Sequence, residues 1–166
     1  VLKEDLGFYI EKYQTWSSYE AEEEGILIAY ASIHGNTKRA AEQMKGILEK
    51  KGAKKVSIID LAREDVSYAV SDAFRYSKML LACSTYDAGI FPCMEDFLNH
   101  LRAKSYQKRT VAFMENGSWA PAAGRIMRGM MEELKDIEIV EPIVTIRSTV
   151  KPETLAAMEE LAEKLV

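Results

Sequence analysis

The chain repeats one rhythm: a short apolar run, a polar loop, then a stretch with apolar residues at helical spacing. Ile26, Leu27, Ile28 and Ala29 form a run too short for a buried helix, and Tyr30 extends it. Such a run suits a strand covered on both faces. This first strand, Gly25–Ala31, gives way to the polar stretch Ser32-Ile33-His34-Gly35-Asn36-Thr37. A helix follows from about Thr37 to Lys50, with Ala40, Ala41, Met44, Ile47 and Leu48 on one side, and Lys51-Gly52 ends it.

The same unit recurs. Lys55–Leu61 reads as a second strand and Glu64–Arg75 as a helix. Lys78–Cys83 is a third strand, Ser84–Phe91 a loop, and Pro92 opens a helix carrying Met94, Phe97, Leu98 and Leu101. Thr110–Met114 is a fourth strand, followed by the loop Glu115–Ala120 and a helix from Pro121 to about Leu134. Ile137–Val140 and Pro142–Ile146 make a fifth strand region, interrupted at Glu141-Pro142; proline cannot donate to a ladder, so the strand bends there or lies at an edge. Pro152 opens the last helix. Five strand-helix units predict a parallel sheet with helices on both faces.

In such a sheet ligands lie beyond the carboxyl ends of the strands, where the strand order switches. The polar loops 32–37, 84–91 and 115–120 follow the first, third and fourth strands. With strand order 2-1-3-4-5 those strands are neighbours, and the loops form one contiguous site. The first loop has the Ser32 and Thr37 hydroxyls, the Asn36 amide and backbone N–H groups around Gly35, at a helix start. Neutral donors at a helix N-terminus suit a phosphomonoester; capping of the helix by Ser or Asn is the plainer reading. The loop is neither the dinucleotide fingerprint nor the nucleotide P-loop. Tyr86 and Trp119 in the other two loops suggest aromatic walls for a flat heterocycle, or else covers for the sheet edge.

Residues 1–24 differ in character. Leu6, Tyr9, Ile10, Tyr13 and Trp16 recur at helical spacing, Ser17-Ser18 break the pattern, and Glu20–Glu24 is acidic. The segment reads as a helix packed on the domain or as a linker from a further domain. Because Val1 opens the chain where a reading frame would start with methionine, the expectation is a processed, trimmed or excised piece.

Composition narrows the partners. The 166 residues point to one domain, 48% hydrophobic and 29% charged, with a formal charge of −4 and no basic stripe, so nucleic acid is not an expected partner. No apolar run reaches transmembrane length and no signal peptide opens the chain, which makes the cytoplasm the default location. Cys83 and Cys93 imply no disulfide framework. Cys83 is expected to be buried, Met127, Met130 and Met131 to pack in the core, and His100 to lie at the surface. A phospho-receiver domain of the same sheet order would need clustered aspartates after the first strand, and residues 28–32 contain none.

The form Ser-x-x-Gly-Asn-Thr after a strand ending in Ala31-Ser32 resembles the phosphate loop of flavodoxins, and residues 25–166 are similar to a flavodoxin-like FMN-binding domain. The resemblance implies a three-layer α/β sandwich with a five-stranded parallel sheet. Glu11-Lys12-Tyr13-Gln14-Thr15-Trp16-Ser17 resembles the connector of flavodiiron proteins, and Glu115-Asn116-Gly117-Ser118-Trp119-Ala120-Pro121 resembles the third flavin loop of one branch of that family. The resemblance then makes 1–24 a helix and linker from a diiron domain outside this chain. It assigns Ser32, His34, Gly35, Asn36 and Thr37 to the phosphate. Ser84, Thr85, Tyr86, Asp87, Ala88 and Gly89 fall on one side of the isoalloxazine, and Asn116, Gly117, Ser118 and Trp119 on the other. Many relatives have Ser-Pro-Thr where this chain has Ser84-Thr85-Tyr86.

What the resemblance implies is a redox domain that passes electrons to the diiron site of an oxygen or nitric oxide reductase. Its implied partners are the diiron domain and a donor such as rubredoxin or a flavin reductase, with the full-length protein a homodimer. With only His34 and His100, the chain lacks the histidines of the iron site. The alternative is a free-standing flavodoxin-type carrier or small FMN-dependent quinone reductase.

Overall fold

The computed structural model describes residues 4–166; the first three residues of the expected leader lie outside them. The elements in order are α1 (Leu6–Ser17), β1 (Glu23–Ala31), α2 (Asn36–Lys50), β2 (Val56–Asp60), α3 (Val66–Arg75), β3 (Tyr76–Tyr86), β4 (Gly89–Ile90), α4 (Pro92–Ala103), β5 (Arg109–Asn116), α5 (Ala123–Glu132), β6 (Ile137–Ile146) and α6 (Pro152–Leu165). The sheet runs β2-β1-β3-β5-β6, with β4 paired antiparallel to the end of β3 and every other pairing parallel. Setting aside the two-residue β4, this is the expected order 2-1-3-4-5.

Period-two alternation divides β1 between two cores. Leu27, Ala29 and Ala31 face a layer with α3, α4 and α5, built on Ala69, Phe97, Leu101, Met127 and Met131. Ile26, Ile28 and Tyr30 face α2 and α6, through Ala40, Ala41, Met44, Leu48, Met158 and Leu161. Each fully buried Leu or Ile contributes about 1.5–3 kcal/mol, so this central strand anchors both layers. Met127 and Met131 are fully buried and Met130 packs beside them, as expected.

β6 is an edge strand, and its register against β5 shifts between Ala112 and Met114, opposite the Glu141-Pro142 interruption. The missing proline N–H accounts for the irregularity.

The N-terminal helix forms, but none of its residues is buried. Leu6, Ile10, Tyr13 and Trp16 are all more than half exposed, so the expectation that this helix packs on the domain is not met. The connector after it is held firmly. Arg109, itself 4% exposed, donates to the carbonyls of Tyr19, Phe74, Tyr76, Gln107 and Lys108. Lys108 Nζ donates to Ser18 O and Glu20 Oε1, each at 2.9 Å, and Glu22 N donates to Arg75 O at 2.9 Å. These ties lie where β3 and β5 begin, at the end of the sheet opposite the polar loops.

Candidate functional site

At the carboxyl end of β1 the chain turns through Gly35, which sits at φ 86° as the N-cap of α2. This left-handed conformation favours glycine. No side chain caps the helix. The Ser32 Oγ accepts from Gly35 N at 3.1 Å, so it stiffens the loop, and the Asn36 Oδ1 accepts from Arg39. Capping by Ser or Asn is therefore not the role of these residues. The first-turn N–H groups of α2 are left open to a ligand, where the helix dipole favours an anion. Lys38 pairs with Glu42 one turn along the helix, away from the loop. Thr37 is 1% exposed, and its Oγ1 lies 2.8 Å from Ser84 Oγ.

The second segment differs from the expected loop. β3 does not stop at Cys83 but continues through Ser84, Thr85 and Tyr86, then reverses at Asp87-Ala88 into β4. Both turn residues have positive φ, 48° and 57°. That is the backbone sign pattern of the type I′ hairpin turn, whose twist matches paired strands. Thr85 pairs with Ile90 across this hairpin, which stiffens the segment without the proline of many relatives. Thr85 Oγ1 accepts from Ala122 N at 3.0 Å and Ala123 N at 3.2 Å, so its hydroxyl caps α5. Tyr86 meets Phe91 edge-on, with ring centroids 5.6 Å apart.

The third loop is fixed at its root. Glu115 is buried; its Oε2 accepts from Gly124 N and its Oε1 from Thr145 Oγ1, each at 2.8 Å. A buried carboxylate with both oxygens satisfied at a helix start ties α5 to β5 and β6. A Cβ on Gly117 would stand 2.8 Å from Pro121 Cα, so only glycine lets the loop close on itself there. Trp119 is 92% exposed.

Between the loops lies an open cleft of about 230 Å³, walled by Ile33, His34, Asn36, Thr37, Ser84, Thr85, Asn116, Gly117, Ser118 and Ser148. Eight of these ten, all but Ile33 and Ser148, are site residues the sequence singled out from three separate loops, and the side chains of Thr85 and Asn116 also hold the scaffold together. Tyr86 and Trp119 do not line this cleft: the Tyr86 ring leans on Phe91 and Trp119 is exposed. Ser32, Gly35, Asp87, Ala88 and Gly89 are likewise outside it. Ser148, which the sequence reading missed, belongs to a fourth loop after β6. Its only sequence signal is the polar run Arg147-Ser148-Thr149 after the last strand. The wall contains no Asp, Glu, Lys or Arg. Neutral donors at an uncapped helix start, with no carboxylate to repel an anion, fit a phosphate ester.

Cys83 is fully buried; its Sγ accepts from Phe91 N at 3.4 Å, and burial pushes its thiol up to about 12. His100 is exposed, 3.7 Å from Asp96. Among the described residues, no group of three or more His, Cys, Asp or Glu is placed to hold a metal ion, and no helix is long and apolar enough to cross a membrane.

A doubly wound sheet whose polar cleft lies beyond the ends of β1, β3 and β5 defines a flavodoxin-like domain. Residues 28–160 match the flavodoxin family model, and the chain belongs to that family. It is homologous to the anaerobic nitric oxide reductase flavorubredoxin of Aeromonas hydrophila, 29% identical over 141 residues, which are 84% of this chain and 28% of that protein. The rubredoxin oxygen:oxidoreductase of Desulfovibrio gigas superposes with a TM-score of 0.88 at 13% identity, over 96% of this chain and 39% of that one. A flavodoxin from the domain Archaea superposes with a TM-score of 0.72 at 21% identity, over 85% of this chain and 98% of that one. The chain thus spans less than a third of the curated relative's length.

Proposed function

We propose that this chain binds FMN in the cleft and is the electron-transfer domain of a flavodiiron oxygen or nitric oxide reductase. The observation that carries the reading is the cleft itself: an uncapped helix N-terminus and neutral side-chain donors, with no carboxylate in the wall. Thr37, Ser84 and the first-turn N–H groups of α2 would hold the phosphate, and Asn116, Gly117 and Ser118 would flank the ring system. The bound flavin supplies the electron transfer; the protein supplies orientation and tunes the potential. A single anion site, with no second glycine-rich segment for a pyrophosphate, favours FMN over FAD.

On this reading residues 1–24 are the helix and linker from a diiron domain, and rubredoxin or a flavin reductase is the donor. Two features support it. The structural match to the Desulfovibrio oxidoreductase covers more of this chain than the match to the archaeal flavodoxin, 96% against 85%. The apolar face of α1 is open, as a segment joined to another domain would be. The full-length protein would be a homodimer in which the diiron site of one subunit faces the flavin of the next.

The test is to purify the chain, extract any bound flavin and identify it by chromatography and mass. FMN is the expected species. FAD as the dominant species overturns the cofactor reading, and a colourless protein that fails to bind added FMN overturns the site.

A further inference from the structure

We infer that Ser148 is a ligand-binding residue of the cleft, its hydroxyl serving the ribityl-phosphate arm of the flavin; this rests on the FMN reading above. Ser148 sits at φ 70°, a left-handed conformation costly for any residue but glycine or asparagine. Its backbone is locked there by a reciprocal pair. Ser148 N donates to Asn116 Oδ1 at 3.2 Å, and Asn116 Nδ2 donates to Ser148 O at 3.0 Å. Asn116 is itself 8% exposed, so the partner is rigid. The Ser148 hydroxyl meets Asn36 Nδ2 at 3.5 Å, at the first residue of α2, and the residue forms part of the cleft wall.

The position therefore bridges the first and third loops, between the proposed phosphate end and the proposed ring end. The backbone pair needs only a residue that tolerates positive φ, and glycine would meet that need without strain. A serine here retains a strained conformation, and what it adds over glycine is one hydroxyl on the wall of a polar cleft. Of the eight non-glycine residues at positive φ among the described residues, only Ser148 stands in the wall of the cleft, and strain kept at that place points to a role for the side chain. That hydroxyl is a neutral donor and acceptor, in keeping with the rest of the wall.

The test compares Ser148→Gly and Ser148→Ala with the parent chain for binding of FMN, riboflavin and lumiflavin, followed by quenching of flavin fluorescence. Ser148→Gly keeps the backbone pair and removes only the hydroxyl. The expected result is an FMN Kd raised about three- to tenfold in both variants, the loss of one hydrogen bond. Lumiflavin, which lacks the ribityl arm, is expected to bind all three proteins alike. An FMN Kd in Ser148→Gly equal to that of the parent overturns the inference, as does an equal weakening of lumiflavin, since either assigns Ser148 to loop shape alone. Failure of the parent chain itself to bind FMN is a different outcome: it overturns the flavin reading and the inference with it.

Discussion

Thr37 Oγ1 and Ser84 Oγ lie 2.8 Å apart, joining the first turn of α2 to the end of β3. The two residues are 47 apart in the chain, and each hydroxyl holds the other in the wall of the cleft. Thr37 therefore has a partner within the protein, where its sequence context suggested contact with a phosphate alone.

The first prediction follows from that pair. Thr37→Ala is expected to weaken FMN binding by about 1.5–3 kcal/mol, the value of a hydrogen bond to a charged group, and to weaken riboflavin less. Dissociation constants of both flavins check it. Equal weakening of the two would assign Thr37 to holding Ser84 in place.

The β3–β4 hairpin turns on a non-glycine residue at φ 57°, Ala88. Ala88→Gly is expected to stabilise the protein by about 0.5–1 kcal/mol, relief of left-handed strain partly offset by the greater freedom of glycine in the unfolded chain. Urea unfolding of the apoprotein measures this. A loss of stability would mean that the turn is not strained.

Arg109 donates to five backbone carbonyls at the start of β3 and β5 and on the connector, and burial lowers the pKa of its guanidinium. Arg109→Leu leaves those carbonyls without their donor and is expected to cost about 3 kcal/mol or more. Arg109→Lys should recover only part, because an ammonium cannot reproduce the planar fork. A midpoint in urea unchanged for Arg109→Leu would show that water replaces the guanidinium at no cost.

Burial pushes the Cys83 thiol up to about 12, and burial also raises that of Cys93, which is only partly buried. At pH 8 an alkylating reagent is expected to label Cys93 first and Cys83 only on unfolding, read by peptide mass mapping. The unfolded chain ionises Cys83 near its ordinary value of 9.0, while the folded chain keeps the proton up to about 12. The contribution of this thiol to stability is thus fully present below pH 9 and declines as pH rises through that window. Labelling of Cys83 ahead of Cys93 in the folded protein would contradict its burial.

Local pattern determined the layers. The alternation of Ile26, Leu27, Ile28, Ala29 and Tyr30 assigns each side chain to one of two cores, and the spacing of Ala40, Ala41, Met44 and Leu48 turns one face of α2 inward. Both periods are properties of a few consecutive residues, so they are legible without the fold. The Ser-x-x-Gly-Asn-Thr loop was legible for the same reason: strand, glycine turn and helix start are contiguous. What tertiary structure decided lies between residues far apart in the chain. The resemblance sets Thr85 beside the isoalloxazine, and only the fold shows that its hydroxyl also caps α5, 37 and 38 residues on. Ser148 carries no motif, and only pairing of β6 with β5 brings it against Asn116, 32 residues earlier. Arg109 gathers carbonyls from the connector, α3 and β3 that no local pattern relates. The sequence sets Tyr86 and Trp119 in two loops of one site, but the placement of each ring depends on where its loop is tied, at the hairpin for one and near the Gly117–Pro121 contact for the other. Periodicity encodes which way a side chain faces; which distant group it meets is settled only when the sheet assembles.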